Sequence, residues 1–566
     1  MQYTGARILI EVLIEHGVDT VFGYPGAAVL HIYDELYRQR KRIRHILTSH
    51  EQHAAHAADG YARSTGRTGV CMATSGPGAT NLITGIAAAF MDSVSLVAIT
   101  GNAALTLLGK DNFQEVDIAG VSMPVVKHNW IVKDVRDLAE TVREAFIVAA
   151  SGRPGPVLID IPRDVAAAKT EWERGQAAAG ARARRLAARN ERETFTCAEI
   201  ESAADMLKNA KRPVIYAGGG VISSGAHNEL AAVAEILNAP VAVSLMGIGA
   251  VPSDHRLCTG LVGMHGTAAS NKAVQKADLL IAVGVRFSDR VTSRADLFAK
   301  NARIIHIDID PAEINKNVRA DAWITGDAKA VLARLLEKLP RGRKKSSGWS
   351  GKIEKWKAAV PKDYHRITAL HPREVIQETA LRLGSNAIIA ADVGQHQMWT
   401  AQFYPFTKPR SFLTSGGLGA MGFGLGAAEG AKFANPDRPV ALFSGDGCFR
   451  MNCTEMATLS SCRIPVLIVV FNNSVLGMVR QWQEFFYEGR YSETDLPAWP
   501  DFVKLAEAYG VPAYRADSGP SLKEALDRAL VDLNEGRPAL VEAVIDRDER
   551  VLPMVPGGTP IDEQIM

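Results

Sequence analysis

Few cysteines, almost no net charge and no apolar run long enough to cross a bilayer mark this chain, and each scarcity removes a class of protein. Its six cysteines, Cys71, Cys197, Cys258, Cys448, Cys453 and Cys462, are scattered over 566 residues without a CxxC pair. That argues against zinc ribbons and against a secreted disulfide framework. Lys plus Arg total 64 and Asp plus Glu 62, leaving a net charge of +2. Such a balance gives no reason to expect nucleic acid or an anionic membrane surface as partner. The first residues lead into an amphipathic helix pattern rather than a targeting peptide, so a reducing, cytoplasmic setting is expected. What is plentiful is hydrophobic residues, 47% of the chain, and glycine, 49 in all. That fits a large, well-buried α/β protein of about three or four domains.

The most informative stretch runs from Ala441 to Val479. An apolar run ends in Gly445-Asp446-Gly447, and a second, Val466 to Phe471, ends in Asn472-Asn473. Both read as buried parallel strands, and the Met451 to Cys462 segment between them has helical spacing. In a strand-helix-strand unit both strand ends open on the same side, which sets Asp446 beside Asn473. A carboxylate, an amide oxygen and a nearby main-chain carbonyl suit a hard divalent cation such as Mg2+, which keeps phosphate oxygens among its ligands. The glycines let a diphosphate approach the backbone.

The rest of the chain repeats the alternation of helix and strand three times, which implies doubly wound parallel sheets. The first block covers residues 1–168, with strands at Thr20 to Gly23, Ile43 to Thr48, Gly69 to Thr74, Ser95 to Thr100 and Pro156 to Ile161. The second covers 196–339, with strands at Pro213 to Ala217, Val241 to Leu245, Leu279 to Val283 and Arg303 to Ile309. The third covers 369–548. Polar stretches at 169–195 and 340–368, the latter carrying the basic run Arg341 to Lys345, read as solvated linkers. A Pro/Gly-rich tail follows from 549 to 566.

Other groups carry chemistry more ambiguously. His50, His53 and His56 share a helix face, but Ala54 stands where HExxH needs histidine, which speaks against zinc. Glu51 opens a helix of alanines in a tightly packed spot; by itself it could equally be an N-terminal charge facing the helix dipole. Gly417 to Gly422 match GxGxxG without the acidic residue a nicotinamide site needs, so close packing against a cofactor ring or another helix is the better reading, with Met421 the one bulky side chain. Arg286 and Arg290 follow a strand, at a sheet edge where phosphate or a substrate carboxylate would dock, or are plain surface residues. Gly218-Gly219-Gly220 follow another strand end as a nucleotide-permissive turn.

Assembled, these motifs resemble the catalytic large subunit of the acetohydroxyacid (acetolactate) synthase family along nearly the whole chain. The resemblance rests on FGYPGAAVLHIYDEL, SHEQHAAHAADGYAR, TSGPGATNLITGIA, DNFQEVDIAG, VGMHGTAASN, VGVRFSDRV, TSGGLGAMGFGLGAA, GDGCFRMN and LGMVRQWQEFFYEGRYSETD. It implies three flavodoxin-like or Rossmann-like domains: one for the pyrimidine of thiamine diphosphate (ThDP), one for FAD and one for the diphosphate and Mg2+. It also implies a homodimer or dimer of dimers with active sites between subunits, and a regulatory small subunit. Asp446, Asn473 and the carbonyl of Val475 are implied as metal ligands, Glu51 as the partner of the aminopyrimidine and Met421 as the support that bends the cofactor. Gly26, Pro77, Asn81, Gln395, His396, Gln397, Gly419, Gly445, Gly447 and Met478 would complete the ThDP site. Arg290, Trp482, Met264, Gln114 and Phe113 would line the reaction side. FAD would lie along Arg153, Gly218 to Gly220, Leu245, Met246, Gly263, His265, Gly284, Arg286, Asp308 and Asp327.

The implied reaction decarboxylates pyruvate and ligates the two-carbon unit to pyruvate or 2-ketobutyrate, in branched-chain amino-acid synthesis. A pyruvate oxidase carrying ThDP and FAD, and a non-catalytic nucleotide-binding protein, are the alternatives. Departures from the family pattern stand at Ala27, Asn102 to Ala104, Arg163 and Ser288.

Overall fold

A computed structural model of the chain describes residues 1–173, 194–340, 347–359, 370–497 and 500–566. The strands of the N-terminal part are β1 (Gln2–Thr4), β2 (Thr20–Gly23), β3 (Arg44–Leu47), β4 (Gly69–Ala73), β5 (Leu96–Asn102), β6 (His128–Ile131), β7 (Pro156–Pro162) and β8 (Lys169–Glu171). Strands β2 to β7 form a parallel sheet in the order β3-β2-β4-β5-β7-β6, and β1 pairs antiparallel with β8 beside it. The middle sheet holds β9 (Pro213–Ala217), β10 (Val241–Val243), β11 (Cys258–Leu261), β12 (Leu279–Val283), β13 (Arg303–Asp308) and β14 (Ala322–Thr325) in the order β11-β10-β9-β12-β13-β14. The last holds β15 (Ile388–Ala391), β16 (Phe412–Leu413), β17 (Val440–Gly445), β18 (Val466–Asn472), β19 (Ala513–Ala516) and β20 (Ala539–Val544), ordered β16-β15-β17-β18-β20-β19. The first and third sheets therefore share one topology.

The central strands are runs of Val, Ile, Leu and Ala buried on both faces, as parallel sheets between helices require. Every residue of β4, β5, β7, β9 and β12 is buried. The order reverses between β2 and β4, between β9 and β12, and between β15 and β17. The loops leaving those strands are where ligands dock in such sheets.

The first and third units meet through helices Glu51–Thr65 and Gly424–Ala434. A Cβ on Gly430 would lie 1.8 Å from the Ala57 carbonyl oxygen, and one on Gly60 2.1 Å from that of Ala427. The two backbones touch, which only glycine permits. Of the two readings of the glycine-rich stretch, helix packing thus accounts for Gly426 and Gly430, since Gly426 too faces His53 and His56.

Three details differ from the sequence pattern. The helix expected over Met451 to Cys462 begins earlier, at Asp446, and is broken: Asp446–Asn452, a 3-10 turn Cys453–Glu455, then Met456–Ser461. Asn452, at φ −139° and ψ 12°, interrupts it. Within the second polar stretch, Ser347–Ala358 is a helix whose Trp349 and Ile353 are buried against the middle unit, and the Trp349 indole N–H donates to the Pro213 carbonyl at 3.2 Å. Most of the first polar stretch and the basic run Arg341 to Lys345 lie outside the described residues. The tail is ordered: Val551, Met554, Val555 and Ile561 are buried, and Met554 bridges to Ile565.

Candidate active site

Strands β17 and β18 pair in register, Gly445 opposite Phe471, so both chains leave the sheet side by side. Asp446 then opens a helix, and its carboxylate accepts the main-chain N–H of Gly447 at 2.8 Å and that of Ser474 at 2.8 Å. Asn473 reaches Gln395, its Nδ2 donating to Oε1 at 3.4 Å. These residues line a cavity of about 90 Å³ together with Gly394, His396, Met421, Gly445, Gly447, Val475, Gly477 and Met478. Asp446 is 2% exposed, and burial pushes its pKa up to about 6.

The cavity fits a cation and a diphosphate on its own geometry. The buried Asp446 carboxylate is bonded to main-chain N–H groups, and the amide and carbonyl oxygens around it are hard donors. A Cβ on Gly447 would strike Leu476 at 2.7 Å, and one on Gly445 would come within 2.8 Å of His396 Nδ1. The bed is glycine because no side chain fits. His396 is buried and held neutral, its pKa lowered to about 3 by desolvation, and its Nε2 makes no hydrogen bond among the described residues. Gln397 turns away, donating to Thr414 Oγ1 at 2.7 Å. Gly419 takes φ 71°, a left-handed conformation suited to glycine.

The helix Gly477–Phe486 leads from this cavity to a second group of predicted residues. Its start, Gly477 to Val479, lines the cavity, and one turn later Trp482 carries the Arg290 guanidinium, whose carbon sits 5.8 Å from the ring centroid. Arg290 also approaches the Met264 sulfur at 3.9 Å, and its carbonyl accepts the Met264 N–H at 2.8 Å. Arg290, Met264 and Trp482 are thus brought together from two sheets. Sequence reasoning missed the girder behind them. Gln481 Oε1 accepts from Gln395 Nε2 at 3.1 Å and from Val551 N at 2.9 Å, and Val555 N donates to Met264 O at 2.7 Å, which ties in the tail. A glutamine one position before Trp482 in an amphipathic helix was the available signal.

Glu51 is not at this cavity within one chain. It sits at the start of its helix, 9% exposed, and Oε2 accepts the Asn81 amide at 2.9 Å. Gly26, Thr74, Gly78 and Pro77 gather around the same edge, and a Cβ on Gly26 would lie 2.5 Å from Thr74. Gln114, at φ 58°, abuts Gly76, while Phe113 is 91% exposed. None of these residues lines the Asp446 cavity. The three histidines have other employment: His50 caps the helix, His53 bonds Glu455 at 2.6 Å, and His56 is buried with its pKa lowered to about 3 by desolvation.

The remaining predicted residues of the middle unit stand at the carboxyl edge of its sheet, on or just after the ends of β9 to β14, and Arg153 reaches the same edge from the first unit. Here the glycines serve the fold first. A Cβ on Gly218 would lie 2.2 Å from the Gly284 carbonyl and one on Gly220 2.6 Å from Gly284 Cα, so the two loops at the reversal point touch. Gly219 faces only Met246 at 3.2 Å. Gly263 takes φ 111°. Arg153 pairs with Glu313 at 2.9 Å, Arg286 donates to the Met91 carbonyl at 2.7 Å, and Asp327 caps the helix Ala328–Lys338. Burial raises Asp308 to about 6 and lowers His265 to about 4. His265 Nδ1 is buried without a hydrogen bond among the described residues, which fits a ligand acceptor or donor at this edge. Asp92 joins the first and third units, accepting Gly416 and Gly417 N–H and pairing with Arg63 at 3.0 Å.

A first and a third sheet of one topology, the third ending in an Asp-Asn pair over a glycine bed, define a thiamine-diphosphate enzyme. Family models agree: the N-terminal TPP-binding domain of thiamine pyrophosphate enzymes matches residues 3–121, the central domain 200–335 and the C-terminal TPP-binding domain 392–543. The chain is 49% identical to the probable acetolactate synthase large subunit of Methanocaldococcus jannaschii, over 98% of this chain and 94% of the relative. It is 47% identical to the acetolactate synthase large subunit of Corynebacterium glutamicum, over 98% and 89%, and 44% identical to the isozyme 3 large subunit of Escherichia coli K12, over 99% and 98%. The chain belongs to the acetolactate synthase large-subunit family.

Among the described residues, no helix is long and apolar enough to cross a membrane.

Proposed function

We propose that the chain catalyses the acetolactate synthase reaction: decarboxylation of pyruvate and ligation of the two-carbon unit to a second 2-ketoacid, giving 2-acetolactate from pyruvate or 2-aceto-2-hydroxybutyrate from 2-ketobutyrate. ThDP supplies the electron sink when bound, so no protein nucleophile is required. Asp446, Asn473 and the Val475 carbonyl hold Mg2+ against the diphosphate, and Met421 supports the cofactor. Glu51 would serve the aminopyrimidine of that cofactor as its proton partner at Oε1, the oxygen that Asn81 leaves open.

Because the Glu51 edge does not line the Asp446 cavity of its own chain, each site is completed by a second copy, in a dimer or dimer of dimers. That copy brings Glu51, Gln114 and Phe113. The loops at the carboxyl edge of the middle sheet would hold FAD, in a structural role. A regulatory small subunit is in keeping with the designation of the relatives as large subunits.

The observation that carries the ligase reading is Arg290 over Trp482, one turn along the helix that starts in the Asp446 cavity. A solvent-accessible guanidinium beside an aromatic wall suits the carboxylate and short alkyl chain of an acceptor ketoacid. The test is product analysis of the pure chain with pyruvate, with and without 2-ketobutyrate, in ThDP, Mg2+ and FAD, beside Glu51→Gln. Acetolactate that falls sharply in the variant is expected. Acetate or acetyl phosphate with reduced flavin would mean an oxidase, and withdraw the roles of Arg290 and Trp482.

A further inference from the structure

Ser49 and His53, placed two residues to either side of Glu51, are held by one buried carboxylate that the motifs leave without a role. Glu455 ends the 3-10 turn that breaks the helix begun at Asp446, and is 0% exposed. Its Oε1 and Oε2 accept the Ser49 N–H at 3.2 and 3.1 Å, and Oε2 lies 2.6 Å from His53 Nδ1. Thr458 Oγ1 donates to Oε1 at 2.6 Å and also reaches the Leu47 carbonyl at 3.2 Å. The Ser49 hydroxyl donates to the Thr454 carbonyl at 2.9 Å. The turn that presents Glu51 is therefore clasped from both sides by the third unit of its own chain.

Burial makes this clasp stiff. A carboxylate without water must keep its donors, and with three of them converging on it their positions are mutually determined. Facing it is Glu429, also 0% exposed, held protonated because desolvation and the neighbouring Glu455 charge raise its pKa well above the ordinary value. Glu429 thus adds no second charge to the pocket. Beneath lies the backbone-to-backbone crossing of the helices Glu51–Thr65 and Gly424–Ala434, which leaves the clasp no slack.

We infer that Glu455 is the positioning residue for Glu51, acting through Ser49 and His53 and touching neither cofactor nor substrate. The inference rests on the reading of Glu51 as the group that handles the pyrimidine proton. Proton transfer needs its partners within hydrogen-bond reach, and a displacement of about 1 Å costs on the order of a hundredfold in rate. Glu455 sets that distance from outside the site.

The experiment combines hydrogen exchange by mass spectrometry on the cofactor-free full chain with steady-state kinetics of the loaded enzyme. Glu455→Ala is expected to speed amide exchange in residues 47–54 by about tenfold or more, leaving the strands of the same unit unchanged. It should lower kcat by about tenfold to a hundredfold while KM for pyruvate stays within about twofold. His53→Asn and His53→Leu form the second test. The asparagine Nδ2 takes the place of the imidazole Nδ1 and still donates to Glu455; leucine does not. Asparagine is expected to keep slow exchange and kcat near the parent value, and leucine to lose both. This pair decides the matter if Glu455→Ala does not fold.

Unchanged exchange in residues 47–54 on loss of Glu455, or equal behaviour of the two His53 variants, overturns the inference. Glu51→Gln is measured alongside. If it turns over like the parent, the functional reading of Glu51 fails; if it is inactive while the Glu455 and His53 variants behave as parent, only the positioning role fails.

Discussion

Arg290, carried by the middle sheet, lies over the ring of Trp482, carried by the third, with 5.8 Å between guanidinium carbon and ring centroid. Within its own unit Arg290 also meets Met264, whose carbonyl accepts from Val555 of the tail. Arg290→Lys keeps the charge but loses the planar fork. Its kcat/KM for ligation should fall by about ten- to a hundredfold. Trp482→Leu should reduce discrimination between 2-ketobutyrate and pyruvate by about tenfold, the worth of one methylene in a fitted pocket. The ratio of the two products in a mixed incubation reads both.

Asp446→Asn removes the single carboxylate of the proposed cation site while keeping its shape. The Mg2+ concentration for half-maximal activity should rise by about a hundredfold, and ThDP retention on gel filtration should fall with it. Chelation of the parent protein should give the same loss, reversed by adding Mg2+. A variant with parent-like metal dependence would remove Asp446 from the ligand set.

Gly430→Ala tests the helix crossing. Its new Cβ would stand 1.8 Å from the Ala57 carbonyl oxygen, so the helices must separate. The expected cost is about 3 kcal/mol, at the upper end for overpacking, seen as a lowered Tm. Alanine at Gly384, where nothing lies within 4 Å but φ is 73°, should cost only the backbone strain of about 1 kcal/mol.

Glu429 gives the chain a pH-dependent stability of definite sign. Folded, it keeps its proton well above the ordinary carboxyl range; unfolded, it loses it near 4.5. Between those limits the folded state binds one more proton, so this group's contribution declines by about 1.4 kcal/mol per pH unit as pH rises. Glu429→Gln, neutral throughout, should flatten that slope. Its Tm relative to the parent should be more favourable at pH 8 than at pH 5, and parallel curves would show that Glu429 is not the group responsible.

Much of this architecture was legible in the residues. The apolar runs at Pro213, Leu279 and Thr20 became strands with the boundaries the pattern set, because a strand buried on both faces admits few charged side chains and so reads as a continuous apolar run. The placement of Asp446 beside Asn473 followed from the parallel crossover alone. Short, half-buried elements such as β6 and β14 went unseen, since His128 to Ile131 and Ala322 to Thr325 are strands only because a neighbour supplies the other half of the ladder. Helix Ser347–Ala358 hid in a basic stretch for a similar reason. Its apolar face consists of little more than Trp349, Ile353 and Trp356, too sparse a stripe to read without the surface it covers.

By itself the sequence determined which chemistry the chain can support: local motifs are short-range objects, and a glycine bed beside an Asp-Asn pair needs only two adjacent strand ends. The tertiary structure decided which of those groups share a site. Arg290 meets Trp482 because two sheets and the tail pack together, whereas Glu51 and Asp446 stay apart within one chain and are linked instead through Glu455. Such relationships join residues hundreds of positions distant. They are set by the packing of whole helices, down to the glycines that let two backbones touch, and no local pattern records them.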